Sequence, residues 1–176
     1  MSTDTAPELH YIADEAFLAE IKTVAQQIMT DIWRPDFVIG IGRGGLVPAV
    51  YISHRINLPM LSIDHSSKVP GFADELLAKV AAKSALGVRL LFIDDINDSG
   101  GTIDYIRRLL TDNGCDGANL RFAVLINNSR SRASVDYWAQ MIDRDMDKRW
   151  FVFPWEAVGE MDAIVEEALS VPERLA

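Results

Sequence analysis

The chain has a single cysteine, Cys115. One thiol cannot build an internal disulfide framework, and such sparing use of cysteine suits a reducing cytoplasm. Cys115 lies between Gly114 and Asp116, in a turn-like context with no neighbouring histidine, so it reads as a structural thiol and not a nucleophile. Histidine is scarce too: His10, His54 and His65 are scattered without metal-ligand spacing and read as structural or surface residues. Long hydrophobic runs are missing, and nothing approaches the ~20 apolar residues of a membrane span. The first eight residues are polar and acidic, without the basic and apolar blocks of a secretion signal, so the expected location is cytoplasmic. Positive charge is in deficit: 17 Lys and Arg face 26 Asp and Glu, a net charge of −9. That balance excludes a general nucleic-acid binder, which needs an electropositive face. Repeats, low-complexity tracts and long linkers are also lacking. What remains, 176 residues of which 49% are hydrophobic, fits one domain over residues 1–176 around one sizeable core.

Hydrophobic periodicity gives the element order. Phe17, Leu18, Ile21, Val24, Ile28 and Ile32 make a helical stripe over residues 14–32, which Pro35 ends. Residues 37–41 form an apolar run, a buried strand. Residues 42–45, Gly-Arg-Gly-Gly, read as a loop, and residues 46–56 as a helix with Pro48 in its first turn. A strand over 60–64 leads into a polar stretch with Pro70-Gly71 that reads as a mobile loop. Residues 73–85 suit a helix, and residues 121–126 a strand. Residues 151–153 form a last short strand, and 161–169 a terminal helix. Residues 136–149 carry Asp136, Asp143, Asp145 and Asp147 beside Arg144, Lys148 and Arg149, and read as a solvated mixed-charge segment. Strand and helix alternate through the middle. This predicts an α/β fold: a mainly parallel twisted sheet with helices on both faces. Ligands in such sheets bind beyond the carboxyl ends of the strands.

The most informative stretch is Leu90-Leu91-Phe92-Ile93-Asp94-Asp95-Ile96-Asn97-Asp98-Ser99-Gly100-Gly101-Thr102. Four apolar residues form a strand, and two carboxylates stand where it should end. A loop of acid, hydroxyl and glycine then opens a helix marked by Ile103, Ile106, Leu109 and Leu110, which closes near Asn113-Gly114. Amides at a helix start, unencumbered at Gly100 and Gly101, can hold a phosphate, and Ser99 and Thr102 add hydroxyl donors. Asp94 and Asp95 can accept hydrogen bonds from vicinal sugar hydroxyls or face a hydrated divalent cation. An acidic pair alone would equally suit a solvated turn, but the whole pattern is the layout of a site for a phosphorylated sugar. Upstream, Gly44 and Gly45 would let the backbone approach a second anionic group, and Arg43 offers a fixed positive fork.

The stretch over residues 90–102 resembles the phosphoribosyl-diphosphate signature of the type I phosphoribosyltransferases. Arg43-Gly44-Gly45-Leu46-Val47-Pro48 resembles the diphosphate loop of the bacterial xanthine–guanine and hypoxanthine enzymes. Trp150-Phe151-Val152-Phe153-Pro154-Trp155-Glu156 resembles their purine-binding segment. The resemblance covers about residues 35–156. It implies the type I fold with a small hood built from terminal segments, and transfer of ribose 5-phosphate from phosphoribosyl diphosphate to a nucleobase with Mg²⁺. It also implies a homo-oligomer, dimer or tetramer. By the same resemblance Arg43, Gly44 and Gly45 bind the diphosphate, and Lys68, in a lid with Ser66 and Ser67, touches it. Asp94 and Asp95 hold the ribose hydroxyls and the metal. Asp98 is the catalytic group near the attacking base nitrogen, as proton acceptor or as electrostatic partner of the oxocarbenium-like carbon, with Arg43 stabilising the departing charge. Ser99, Gly100, Gly101 and Thr102 anchor the 5-phosphate.

For the base, Trp150 is the candidate stacking residue beside Phe151, although a hydrophobic plug suits Trp150 equally well, and Trp155 reads as core. The 6-oxopurine enzymes carry a Lys after the fourth core strand. Here the sequence is Asn127-Asn128-Ser129-Arg130, and Asn128 is the candidate donor, with Asn127 and Arg130 as alternatives. Loss of that cation makes hypoxanthine and guanine the expected substrates ahead of xanthine. The family also implies a strained, often cis, peptide near Gly42-Arg43-Gly44. A rival reading is a non-catalytic regulatory protein of the same fold that binds phosphoribosyl diphosphate or a nucleotide. A Rossmann-type dinucleotide binder is disfavoured, because no G-x-G-x-x-G turn follows the first strand.

Overall fold

A computed structural model describes residues 6–64 and 72–171. Five strands form one sheet: β2 (Phe37–Ile41), β3 (Met60–Ile63), β4 (Leu90–Asn97), β5 (Leu120–Asn128) and β6 (Tyr137–Ile142). Their order is β3-β2-β4-β5-β6, and every pairing is parallel. Each crossover therefore needs a covering element, which is why β2, β4 and β5 read as unbroken apolar runs buried on both faces. Helices α1 (Asp14–Thr30) and α2 (Gly42–Ile56) cover one face around Phe17, Val24, Ile28, Ile52 and Leu91. On the other face Leu77 and Val80 of α3 (Phe72–Ala85) and Ile103, Ile106 and Leu110 of α4 (Gly101–Asp112) pack with Phe92 and Phe122. Phe92 and Phe122, paired in register on β4 and β5, stack at 5.1 Å between ring centroids. A two-stranded parallel unit, β1 (Leu9–Tyr11) with β7 (Trp150–Val152), joins the two ends of the chain above the sheet, and α5 (Met161–Leu169) follows it. No helix among the described residues is long and apolar enough to cross a membrane.

Several boundaries differ from the expectation. The first helix stops at Thr30, and Ile32 lies outside it, 96% exposed. No loop separates β2 from α2: the Gly-Arg-Gly-Gly string is the first turn of the helix itself. β4 continues through the acidic pair to Asn97, because β5 runs alongside as far as Asn127 and satisfies its backbone. β6 replaces the first part of the expected solvated segment. Its Tyr137 and Ile142 are buried, and Trp138 packs against the second core. The Gln27 amide bonds both the N–H and the C=O of Trp138, at 3.1 and 2.8 Å, which occupies this edge strand.

The end of α1 is fastened to β5 and β6 by Asp31. Its carboxylate accepts from Trp33 N at 2.8 Å, from the Arg121 guanidinium and from the Tyr137 hydroxyl. Chiefly the Trp33 amide, then Arg121, hold the Asp31 carboxyl down at about 2, while burial pushes the Tyr137 hydroxyl up to about 12. A carboxyl held below its unfolded value of 3.8 stabilises the fold above that pH, and the stabilisation is lost as the pH falls through about 2. The difference in Tm between the wild type and Asp31→Asn, followed by circular dichroism, should therefore be largest near neutrality and shrink steadily between about pH 4 and pH 2.

Candidate active site

Strand order reverses between β2, whose chain leads outward to β3, and β4, on its other side. A crevice opens at such a switch point beyond the carboxyl ends of the strands. Here it is a cleft of about 850 Å³ between the ends of β2 and β4 and the β7 hood. The first turn of α2, with Gly42, Arg43 and Gly44, forms one wall, and Asp94, Asp95 and Thr102 form the floor.

Glycine in the α2 turn is set by close packing against β4. A Cβ on Gly45 would lie 2.2 Å from the Ile93 carbonyl oxygen, and one on Gly44 would lie 2.2 Å from Asp95 Oδ2. The helix start is thus pressed directly onto the end of β4. Gly42 takes a left-handed φ of 56°, which turns the strand straight into the helix. The expected cis peptide is not found: every peptide bond among the described residues is trans. At the second helix start Gly100 has φ 86°, and a Cβ there would sit 2.6 Å from Ala133 N. At the α4 N-terminus Ser99 folds back, its Oγ accepting from Gly101 N at 3.3 Å, and of residues 99–102 Thr102 lines the cleft while Ser99, Gly100 and Gly101 do not.

The acidic pair is held by short local bonds. Asp94 Oδ1 accepts from Asp95 N at 3.1 Å and Asp95 Oδ1 from Ile96 N at 2.7 Å. Both residues line the cleft. Among the described residues no three His, Cys, Asp or Glu side chains converge as a metal cage. Two adjacent carboxylates still fit Mg²⁺, which is usually held by one or two carboxylates together with waters and substrate phosphates.

The structure brings Arg43, Gly44, Asp94, Asp95, Thr102, Trp150 and Phe151 to one cleft. Gly45 is buried at its edge against β4. Asn127 and Asn128 lie within β5, not in a loop after it. Asn127 Oδ1 accepts from Asn97 Nδ2 at 2.8 Å, and Asn128 bonds the Asp98 carbonyl at 3.1 Å. Neither is in the cleft lining, and Arg130 is exposed, paired with Asp143 and Asp145. Asp98 is also outside the lining: it is buried and ion-paired with Arg144 at 2.9 Å. Arg144 does line the cleft. Sequence reasoning missed it, because an arginine amid Asp143, Asp145 and Asp147 carries no periodic or motif signal. Lys68, with Ser66 and Ser67, lies outside the described residues.

At the cleft, the Arg144 and Arg149 guanidiniums lie 5.2 and 5.4 Å from the Phe151 ring centroid, and Phe153 stacks on Trp155 at 4.8 Å. Trp155 packs on the core as expected, but it also lines the cleft, and its buried Nε1 has no hydrogen-bond partner. Glu156 is another cleft residue the sequence reading left without a role. Its Oε2 accepts from Phe153 N at 2.9 Å, and burial pushes its carboxyl up to about 7.

Comparison with known proteins agrees with this geometry. The family model described as phosphoribosyl transferase domain matches residues 10–158, and the chain belongs to that family. The xanthine-guanine phosphoribosyltransferase of Cereibacter sphaeroides is 28% identical over 130 residues, 70% of each chain. Among solved structures, the Helicobacter pylori xanthine-guanine-hypoxanthine phosphoribosyltransferase aligns with a TM-score of 0.62 at 19% identity, covering 92% of this chain and 99% of that one. A hypothetical protein from Neisseria gonorrhoeae with bound ppGpp aligns at 0.66 and 18% identity, covering 94% and 98%. The expected type I fold is therefore present.

Two outcomes follow from these contacts. Gly45→Ala must displace either α2 or the β4 backbone, and urea unfolding should show a loss of about 1–3 kcal/mol. Glu156 behaves oppositely to Asp31. Its folded carboxyl retains a proton between 4.5 and about 7, where the unfolded chain has lost it, so stability falls as pH rises through that window. Tm measured across it should decline in the wild type, and Glu156→Gln should flatten the decline.

Proposed function

We propose that the chain is a purine-salvage phosphoribosyltransferase acting on a 6-oxopurine. The base nitrogen bonds to C1′ of phosphoribosyl diphosphate, the bond from C1′ to the diphosphate oxygen breaks with its electron pair leaving on the diphosphate, and the proton that nitrogen carried passes to solvent. The observation that carries this reading is the convergence of the first turn of α2, the acidic end of β4, Thr102 at the start of α4 and an aromatic hood on one cleft. Arg43 and the first turn of α2 bind the diphosphate and stabilise the charge developing on it. The amides and hydroxyls of residues 99–102 hold the 5-phosphate, so the sugar stays fixed while its anomeric carbon moves. Asp94 and Asp95 bind the ribose hydroxyls and would hold Mg²⁺. When bound, that ion supplies further neutralisation of the diphosphate. Trp150 and Phe151 provide aromatic surface for the purine. The enzyme works in the cytoplasm as a homo-oligomer.

The second reading, a nucleotide-binding regulator, draws on one observation: the Asp98 carboxylate is engaged by Arg144 and lies outside the cleft lining. A structural neighbour with bound ppGpp is in keeping with it.

Diphosphate release with phosphoribosyl diphosphate, Mg²⁺ and a panel of free bases separates the two. Hypoxanthine and guanine should lead and xanthine follow, because the base meets no unpaired cation after β5, with adenine, uracil and orotate far behind. Asp94→Asn/Asp95→Asn should lower kcat/KM by about 100-fold or more with the Tm retained. No turnover with any base, together with tight binding of GMP or ppGpp, would establish the regulator instead.

A further inference from the structure

We infer that Glu156 is the specificity-determining residue of the base site: it reads the purine at C2 and makes guanine, the 2-amino-6-oxopurine, the preferred base. The inference rests on the purine-binding part of the reading above. Glu156 is half-buried and lines the cleft beside the aromatic residues of the hood. A reciprocal pair of bonds fixes it there. Its Oε2 accepts from Phe153 N at 2.9 Å, and its own N donates to the Phe153 carbonyl at 2.9 Å. Phe153 is buried and stacks on Trp155, so the carboxyl keeps one place relative to the hood. Its electrostatic neighbours are Asp95 of β4, Glu167 of α5 and Arg43 of α2, all in the cleft lining. Glu156 therefore stands where the hood meets the walls assigned to the sugar and the diphosphate. A carboxylate offers about four acceptor positions, and the Phe153 amide takes one.

The polar groups on this side of the cleft decide which edge of a base it can take. Residues 150–171 supply no lysine or arginine to the lining. The Ser170 hydroxyl donates to the Glu167 carbonyl at 2.7 Å, and Trp155 Nε1 is buried. Arg144 also lines the cleft, but its guanidinium is taken by the Asp98 carboxylate and by the carbonyls of Asp147 and Arg149. Glu167 is exposed on α5. The acceptor that this wall holds ready for a planar base is thus Glu156. Guanine, hypoxanthine and xanthine share O6 and N1–H and differ at C2, which carries an amino group, a hydrogen or an oxo group. The amino group is a donor and completes the carboxyl. The hydrogen leaves the carboxyl without that partner, and the oxo oxygen sets acceptor against acceptor. Discrimination of this kind is steep, because a buried polar group that loses its partner is costly. Burial pushes the Glu156 carboxyl up to about 7, and a donor bonded to it favours the carboxylate. Guanine should therefore displace a proton from Glu156, and the preference for guanine should grow as pH rises through about 7.

The test is isothermal titration of GMP, IMP and XMP into the wild type, Glu156→Gln and Glu156→Ala between about pH 6 and pH 8, with kcat/KM for the free bases beside it. The nucleotides share one ribose phosphate, so the ratios of their affinities isolate C2. At the alkaline end the wild type should bind GMP about tenfold or more tighter than IMP, with XMP weakest. That ratio should shrink toward the acid end, and kcat/KM should rank guanine, hypoxanthine and xanthine in the same order. Glu156→Gln retains the turn, because its carbonyl oxygen can replace Oε2 at Phe153 N. Its NH2 then stands as a donor where the wild type has an acceptor. The GMP advantage should fall about tenfold and lose its pH dependence, and XMP should overtake IMP. Glu156→Ala should abolish the GMP advantage as well. A residue that only caps the turn would leave every ratio unmoved. Equal affinity for GMP and IMP in the wild type, or the wild-type ratio retained in Glu156→Gln, would overturn the inference. If the wild type turns over no base, the transferase reading falls, and the nucleotide ratios still decide the role of Glu156.

Discussion

The first turn of α2 rests on the carboxyl end of β4, with Gly45 against the Ile93 carbonyl and Gly44 against the Asp95 carboxylate. A Cβ at Gly45 would meet β4 backbone that has to shift, and much of the cleft depends on that contact. It brings the Arg43 wall within reach of the acidic floor and places a helix start over the reversal in strand order. Because β2 and β4 are parallel neighbours, their carboxyl ends open on the same side. The loops that follow them are therefore forced together, and parallel crossovers cannot return on that side.

A second consequence concerns charge. The chain carries a net charge of −9, yet its cleft is built to take a highly anionic ligand. Positive character at the cleft is local, from Arg43 and from the N-terminal ends of α2 and α4, which follow left-handed glycines at 42 and 100. The neighbouring acids are kept where they are useful: Asp94 and Asp95 by bonds to the next backbone amide, and Glu156 by burial that favours its protonated form. A global excess of carboxylates is thus compatible with phosphate binding, since a Debye length of about 8 Å screens distant surface charge more than it screens these close groups.

Behind the cleft, the ends of β4 and β5 carry polar residues in place of the apolar core. Asn97 bonds Asn127 and the Ala133 carbonyl, Ser131 bonds Asn97, and Asn128 links Asp98 with Arg144. Buried polar groups of this kind add little net stability, but one partner lost leaves another unsatisfied, so they hold a single arrangement of the loops around them. The hood joins the main core through Phe151 and Phe153, with Trp155 packed against it, and the Arg144 network ties it further to the end of β5.

Much of this was legible from local signals. The apolar runs of β2, β4 and β5 and the helical stripes are short-range patterns, and they specified a parallel α/β sheet with helices on both faces. The residue 90–102 pattern likewise marked a strand ending in acids and a helix start after the glycines, since strand, acid and glycine act through their immediate neighbours. Other features were decided only by tertiary pairing. β6 was hidden in a charged stretch, because an edge strand held by Gln27 needs no continuous apolar run. β1 is three residues whose strand partner among the described residues is β7, about 140 positions away. Asn127 and Asn128 read as a loop in isolation, yet β6 beside them keeps them in the sheet. Arg144 looked like one charge among many until folding buried it against Asp98. Local periodicity reports what a residue does to its own segment, whereas a long-range ion pair is set by where the sheet brings two segments together, and no local pattern encodes that distance.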